Sequence, residues 1–443
     1  MPFSVTIEKL IIGGLGLGRL PDGKVVLVPG ALSGEEVVVA QVSGKKSFIT
    51  ARLIDVVKPS SFRTEPPCPY SERCGGCDFQ HVHPARQGEL KNLILQEQLQ
   101  HNGFSSRYMD FLQQPLPSPG SFHYRQRIRL HVDQDGRPGF LRHQSHQVEP
   151  VSNCLIARPE LNDVLSSLIA GALLRKVSLL VDEIELLLSP EDGKVVVLFH
   201  LARKPRPAEK KVFEELAVSH ELVKSVLVSS AGYGVVDAFS CLECDEKMSF
   251  LHFFYSLPGG SLRMTVEPGG FSQVNLEQNE NLIDLLLDWA KVNETSKALD
   301  LFCGMGNFSL PLARRAGSVA GMDLQRSAIR SAVRNAERNS ITNCSFSQIS
   351  SLEGARQCVE NGKKFDLVLL DPPRQGCAEV IPFLPSLGPS QIIYISCDPA
   401  TLCRDLLLLE EKGYLIEKMK MVDMFPQTHH LETIVSLKSS SAV

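Results

Sequence analysis

The run Ala298-Leu299-Asp300-Leu301-Phe302-Cys303-Gly304-Met305-Gly306-Asn307 narrows the fold more than any other stretch of this chain. Its apolar half ends on a carboxylate and runs into two glycines, which let the backbone turn sharply and approach a ligand closely. Around it the pattern alternates. Helices are predicted over 276–292, 308–315 and 326–338, and strands over 298–302, 318–323, 344–349 and 366–370. Such alternation predicts a doubly wound, mostly parallel sheet, an α/β Rossmann-like domain over 267–443.

Three features of this region select a nucleotide-type ligand. Ser309 stands where a dinucleotide fingerprint would place its third glycine, which disfavours a pyrophosphate. The second strand ends in Asp323, placed to accept hydrogen bonds from ribose hydroxyls, and a later one ends in Asp371-Pro-Pro-Arg374. Acidic ends on successive strands beside a Gly-x-Gly loop fit S-adenosyl-L-methionine better than a nicotinamide dinucleotide.

At 443 residues the chain is long enough for two or three domains. Residues 1–58 read as all-β, with short β-branched runs (25–28, 36–42, 49–57) between turns at Gly13-Gly14-Leu15-Gly16 and Pro21-Asp22-Gly23. This predicts a small barrel of the oligonucleotide-binding type. Residues 58–67 have linker composition, and 59–266 read as a mixed α+β region with a helix at 85–101, strands within 122–133 and a basic surface loop at 203–211. No apolar run is long enough to cross a bilayer and the start lacks a signal-peptide core, which points to the cytoplasm. The net charge of −4 gives no global pull toward nucleic acid, so RNA contact needs local basic surfaces.

Cys397 leaves an apolar run (Ile392 to Ile395) and precedes Asp398-Pro399 and a helical pattern, the strand-end position at which α/β sheets keep their chemistry. Methyl transfer to an amine needs no protein nucleophile. Transfer to C5 of a uracil needs a thiolate at C6 and a base for the C5 proton. Glu432 is a candidate for that base, with His429 and His430 as competitors.

The cysteines at 68, 74 and 77 are too closely spaced for chance burial and imply a metal or iron–sulfur centre. Cys154 could be the fourth ligand. A zinc site of Cys74, Cys77, Cys241 and Cys244 is equally allowed by the residues alone.

Asp300-Leu-Phe-Cys-Gly-Met-Gly-Asn-Phe308, Ser396-Cys-Asp-Pro-Ala-Thr-Leu402 and Phe425-Pro-x-Thr-x-His-Leu-Glu432 resemble the RNA 5-methyluridine (uracil-C5) methyltransferases over nearly the whole chain. The resemblance implies Cys397 as nucleophile and Glu432 as proton acceptor. It places Gln273, Phe302, Gly304, Asn307, Asp323 and Asp371 on S-adenosyl-L-methionine. Ser350 stands where an acidic or amide contact is usual. The same resemblance implies a [4Fe–4S] cluster on Cys68, Cys74, Cys77 and Cys154, and a TRAM-like RNA-binding barrel at residues 1–58.

The substrate implied is RNA, ribosomal first and tRNA second, with no membrane partner and a monomeric chain. Arg125, Arg127 and Arg129 share one face of a predicted strand, with Arg142, His143 and His146 soon after, and this face is expected to touch RNA. Two rival classes stay open. An amino-group methyltransferase would use Asp371-Pro-Pro-Arg374 and leave Cys397 idle; a non-catalytic RNA-binding protein would use neither.

Overall fold

The computed structural model describes residues 2–104, 106–230, 234–240 and 250–440. Cys241 and Cys244 lie outside the described residues. The chain forms two compact units: 1–71 with 77–119 and 370–443, and 72–76 with 120–369.

The first unit begins with a closed barrel of β1 (Pro2–Ile11), β2 (Leu15–Arg19), β3 (Val25–Pro29), β4 (Glu36–Gly44) and β5 (Phe48–Lys58), in the order β1-β2-β3-β5-β4. Alternate residues such as Val5, Ile7, Val26, Val28, Val37 and Val39 fill it, as the two-residue strand period requires. Gly13 and Gly14 form the expected turn, with φ of 82° and 67°. Gly16, read as part of that turn, is instead a strand residue in β2. A Cβ there would stand 2.8 Å from the Ala31 carbonyl oxygen, so it serves close strand approach.

Residues 59–67 have a linker's composition but not a linker's freedom. Arg63 donates to both carboxylate oxygens of fully buried Glu35 (2.6 and 2.7 Å) and to the Gly30 carbonyl (2.7 Å), fastening the segment to the barrel. A helix, Pro84–His101, follows.

The second unit holds a seven-stranded sheet of β6 (Arg127–Val132), β7 (Pro138–Leu141), β8 (Val148–Pro150), β9 (Val181–Ser189), β10 (Lys194–Leu201), β11 (Val223–Ser230) and β12 (Gly234–Ser240). The basic stretch 203–211 is half loop, half helix. Pro207 opens the helix Pro207–Ala217, and Glu209 accepts from the Arg206 backbone N–H at 2.6 Å. A hairpin of β13 (Leu251–Tyr255) and β14 (Leu262–Val266) leads to four parallel strands. These are β15 (Lys297–Asp300), β16 (Ser318–Asp323), β17 (Cys344–Gln348) and β18 (Leu367–Leu370), ordered β17-β16-β15-β18; the helices predicted at 308–315 and 326–338 separate the first three, and a helix that was not predicted, Ser351–Glu360, precedes the fourth. The predicted strand and helix ends fall within a few residues of those observed.

The first unit ends with β19 (Gln391–Ser396), the helix Pro399–Glu411, β20 (Tyr414–Val422) and β21 (Glu432–Ser439). β21 runs antiparallel to both β19 and β20.

Candidate active site

Register brings the two predicted catalytic residues together. Ser396, the last residue of β19, pairs with Thr433 of β21. One step further along each antiparallel strand stand Cys397 and Glu432. Cys397 is half-buried on the turn, and Asp398 caps the following helix by accepting from the Thr401 backbone N–H at 2.8 Å. Glu432 is 6% exposed.

The electrostatics of the pair follow from that placement. Burial, then the negative charge of Glu432 and Asp371, push the Cys397 thiol up to about 11, with Arg374 pulling the other way. Burial and then Asp371 raise the Glu432 carboxyl well above its ordinary value. In the ligand-free protein burial thus works against the charged form of each group.

Sequence reasoning missed the residues that shape the Asp371–Cys377 loop. Asp405 is fully buried and accepts from the Cys377 backbone N–H (2.8 Å) and the Tyr394 hydroxyl (2.7 Å). Arg404 grips Asp405 and donates to the Gln375 carbonyl at 2.8 Å, while Thr401 donates to the Arg374 carbonyl at 3.0 Å. A signal was present: Asp405 interrupts the buried stripe of Leu402, Leu406 and Leu409, and a carboxylate on an apolar helix face needs partners.

In the other unit the glycine loop is braced from below. Asp300 ends β15, fully buried, and takes hydrogen bonds from Ser309 Oγ (2.6 Å) and the Phe302 N–H (3.3 Å). Burial pushes its carboxyl up to about 7. This explains the serine at 309: it holds the loop's base rather than lining a phosphate. Gly304 and Gly306 have φ of 52° and 88°, a region glycine enters readily. The Gly304 N–H donates to Asp323 Oδ2 (3.0 Å) and the Gln325 N–H to Oδ1 (2.8 Å). Each carboxylate oxygen keeps a lone pair for a ribose hydroxyl.

Phe302 and Gln273 are half-buried beside the loop and before the helix Leu276–Trp289, respectively. The Asn307 side chain is engaged within the protein. Its Oδ1 accepts from Tyr255 and Asn279, both at 3.0 Å, and its Nδ2 donates to Asn279 at 2.9 Å. Ser350 caps the helix Ser351–Glu360, accepting from the Glu353 N–H at 3.2 Å.

Cys68, Cys74, Cys77 and Cys154 are all half-buried and lie outside the sheets and helices. Amide groups fix their backbones: Gln80 accepts from the Cys68 N–H (3.3 Å) and Asn162 from the Cys154 N–H (2.9 Å). The Gly76 N–H points at Cys74 Sγ, 3.4 Å away. Among the described residues no group of three or more His, Cys, Asp or Glu side chains is gathered as a metal site.

On the face expected to touch RNA, three arginines are paired with carboxylates, while the Arg129 and Arg142 side chains stay 48% and 42% exposed. Arg127 and Arg129 both pair with fully buried Glu185, Arg129 also with Glu183 (3.2 Å), and Arg142 with Glu149 (2.9 Å). Glu183 and Glu185 sit on β9 and Glu149 on β8, and the β6–β9 pairing is one that sequence periodicity does not reveal.

Comparison with known proteins assigns the whole chain. The family model described as tRNA (Uracil-5-)-methyltransferase matches residues 255–440, and the TRAM domain model matches residues 3–51. The chain is 32% identical over 440 residues to 23S rRNA (uracil(1939)-C(5))-methyltransferase RlmD of Vibrio parahaemolyticus, covering 99% of this chain and 96% of that relative. This chain belongs to the RNA uracil-C5 methyltransferase family.

A second relative, of the same name, comes from Alkalilimnicola ehrlichii and is 35% identical, covering 98% of this chain and 96% of its own. Among solved structures, Pyrococcus abyssi tRNA (uracil-54, C5)-methyltransferase in complex with S-adenosyl-L-homocysteine matches with a TM-score of 0.74 and 26% identity. That match covers 98% of this chain and 100% of the other. The family assignment fixes the Rossmann-like methyltransferase fold of the C-terminal part and the TRAM identity of the barrel. No helix among the described residues is long and apolar enough to cross a membrane.

Proposed function

We propose that this family member methylates C5 of one uridine in 23S rRNA through a covalent Cys397–C6 adduct. The observation that carries the mechanism is the β19–β21 register, which sets Cys397 beside Glu432. Ribosomal RNA is favoured over tRNA because relatives at 32–35% identity, matched along nearly their full length, are named for 23S rRNA.

In this reading Gln273, Phe302, Gly304, Asp323 and Asp371 hold S-adenosyl-L-methionine, with Asn307 contributing through its backbone. The donor supplies an electrophilic methyl group on a positively charged sulfur. Cys397, as thiolate, would bond C6 while the C5=C6 π electrons move onto the C4 carbonyl. C5 would take the methyl carbon as the methyl–sulfonium bond breaks and the neutral thioether leaves; the ionised Glu432 would then take the C5 proton, and the S–C6 bond would break as C5=C6 reforms, returning the thiolate. The positive sulfur would favour the charged forms of both Cys397 and Glu432, against which burial works in the free chain. The target base must leave its stack to reach them.

The barrel at 1–58 is assigned to RNA binding, 59–266 to a central domain that carries the cluster and 267–443 to catalysis, with the cytoplasm as the place of action. Cys68, Cys74, Cys77 and Cys154 are assigned as the ligands of a [4Fe–4S] cluster. Four cysteine side chains, with an amide N–H aimed at one sulfur, match the donor type such a cluster takes.

The test is methyl transfer from labelled donor to 23S rRNA and tRNA transcripts, with 5-fluorouridine RNA as the trap. The wild type should methylate the ribosomal transcript and form an adduct stable to denaturation, and Cys397→Ala should do neither. Full activity in Cys397→Ala would sink the mechanism and favour an amine substrate. Binding without transfer would make the chain a non-catalytic RNA-binding protein.

A further inference from the structure

The turn between β20 and β21, which delivers Glu432, is held at Gln427 by residues from outside it. Gln427 has a φ of 69° and is 1% exposed, and its Nε2 has no hydrogen-bond partner among the described residues. Left-handed backbone and an orphaned buried amide are both unfavourable for a glutamine, and they persist only where surroundings over-determine the conformation.

Those surroundings are one short stretch of the same unit, residues 78–91. Gln87 Oε1 accepts from the Gln427 N–H (2.8 Å), and Gln87 Nε2 donates to Gln427 Oε1 (2.9 Å). The Asp78 and Phe79 N–H groups both donate to the Gln427 carbonyl, at 3.2 and 3.0 Å. The Asp78 carboxylate accepts from the His429 N–H (2.7 Å) and from its ring Nδ1. Fully buried Lys91 donates to the Phe425 carbonyl (3.0 Å) and pairs with Asp423 (2.6 Å).

We propose that Asp78, Gln87 and Lys91 are positioning residues for proton removal: they clamp the Phe425–Leu431 turn so that Glu432 stays aimed at C5 once Cys397 has added to C6. The proposal rests on the assignment of Glu432 as the C5 base. Cys397 lies on the β19 turn, and none of the clamp's hydrogen bonds reaches that turn. Loosening the clamp therefore leaves attack and methyl transfer intact and slows elimination. A misplacement of about 1 Å can cost on the order of a hundredfold in rate.

The test uses the full-length chain with a 23S rRNA fragment containing ordinary uridine. Gln427→Gly accepts the left-handed φ without strain but gives up the side-chain tether, so it folds while loosening the turn; Gln87→Met removes the tether from the other side. For Gln427→Gly the expected result is an undiminished melting temperature, turnover reduced at least about tenfold, an unchanged KM for the methyl donor, and accumulation of a methylated covalent adduct. Gln87→Met should accumulate the same adduct.

Wild-type turnover in Gln427→Gly, or loss of turnover without adduct, overturns the proposal. Failure of the wild type itself to trap on 5-fluorouridine RNA overturns the Cys397–Glu432 assignment first, and the positioning role with it.

Discussion

The state of the Cys397 thiol is the sharpest consequence of the site's geometry. With the thiol pushed up to about 11 by burial, Glu432 and Asp371, only about one Cys397 in a thousand is thiolate at pH 8. An unperturbed thiol would be roughly one-quarter ionised there. Alkylation of the ligand-free chain by iodoacetamide, followed on the Cys397 peptide by mass spectrometry, should rise about tenfold per pH unit from about pH 7, bending only near 11. Asp371→Asn removes one of the opposing negative charges and should move the bend to lower pH. Arg374→Met removes the cation that favours thiolate and should move it up. Adding S-adenosyl-L-methionine should lower the midpoint more than adding the uncharged thioether product, because only the former brings positive charge. A ligand-free midpoint at or below about 8.5, or one that neither substitution moves, would refute the reasoning.

Other outcomes follow from buried charges and close contacts. Lys91→Met strands the Asp423 carboxylate and should cost about 3–5 kcal/mol in denaturant unfolding, whereas Lys91→Met with Asp423→Leu should recover most of it. Glu35 carries a pKa below its ordinary value: burial raises it, but hydrogen bonds and charge from Arg63, with the Leu32 and Ser60 N–H groups, win. That lowered value contributes stability above the unfolded carboxyl's pKa and loses it as pH falls through the folded one, so Arg63→Met should flatten the acid limb of a stability–pH curve. Gly14→Ala would put a Cβ 2.6 Å from the Phe79 ring and 2.9 Å from His429 at a φ of 67°. It should lower stability by about 1–3 kcal/mol and show in the melting temperature. Anaerobically purified chain should carry about four iron and four sulfide per molecule, lost in Cys154→Ser; zinc in place of iron would refute the cluster.

Much of this protein was legible in its sequence because the informative signals are local. The parallel strands from 297 to 370 announce themselves by apolar runs ending in Asp300, Asp323 and Asp371. The thiol at 397 stands out because a strand-to-helix turn must follow it. The barrel was legible from strand spacing, though β1 and the strand role of Gly16 were not, since a glycine needed for close approach looks the same as one needed for a turn.

What tertiary structure alone decided concerns partners far apart in the chain. The proximity of Cys397 and Glu432 is a matter of antiparallel register, which periodicity cannot specify. That Arg127 and Arg129 share Glu185 as an ion-pair partner follows from the pairing of β6 with β9. Asn307 looked free for a ligand until Tyr255 and Asn279 engaged it. Gln87, Lys91 and Asp78 carried no motif at all. A residue's chemical type is written in the sequence, but whether its charge or hydrogen-bonding capacity is still available depends on what the fold sets against it.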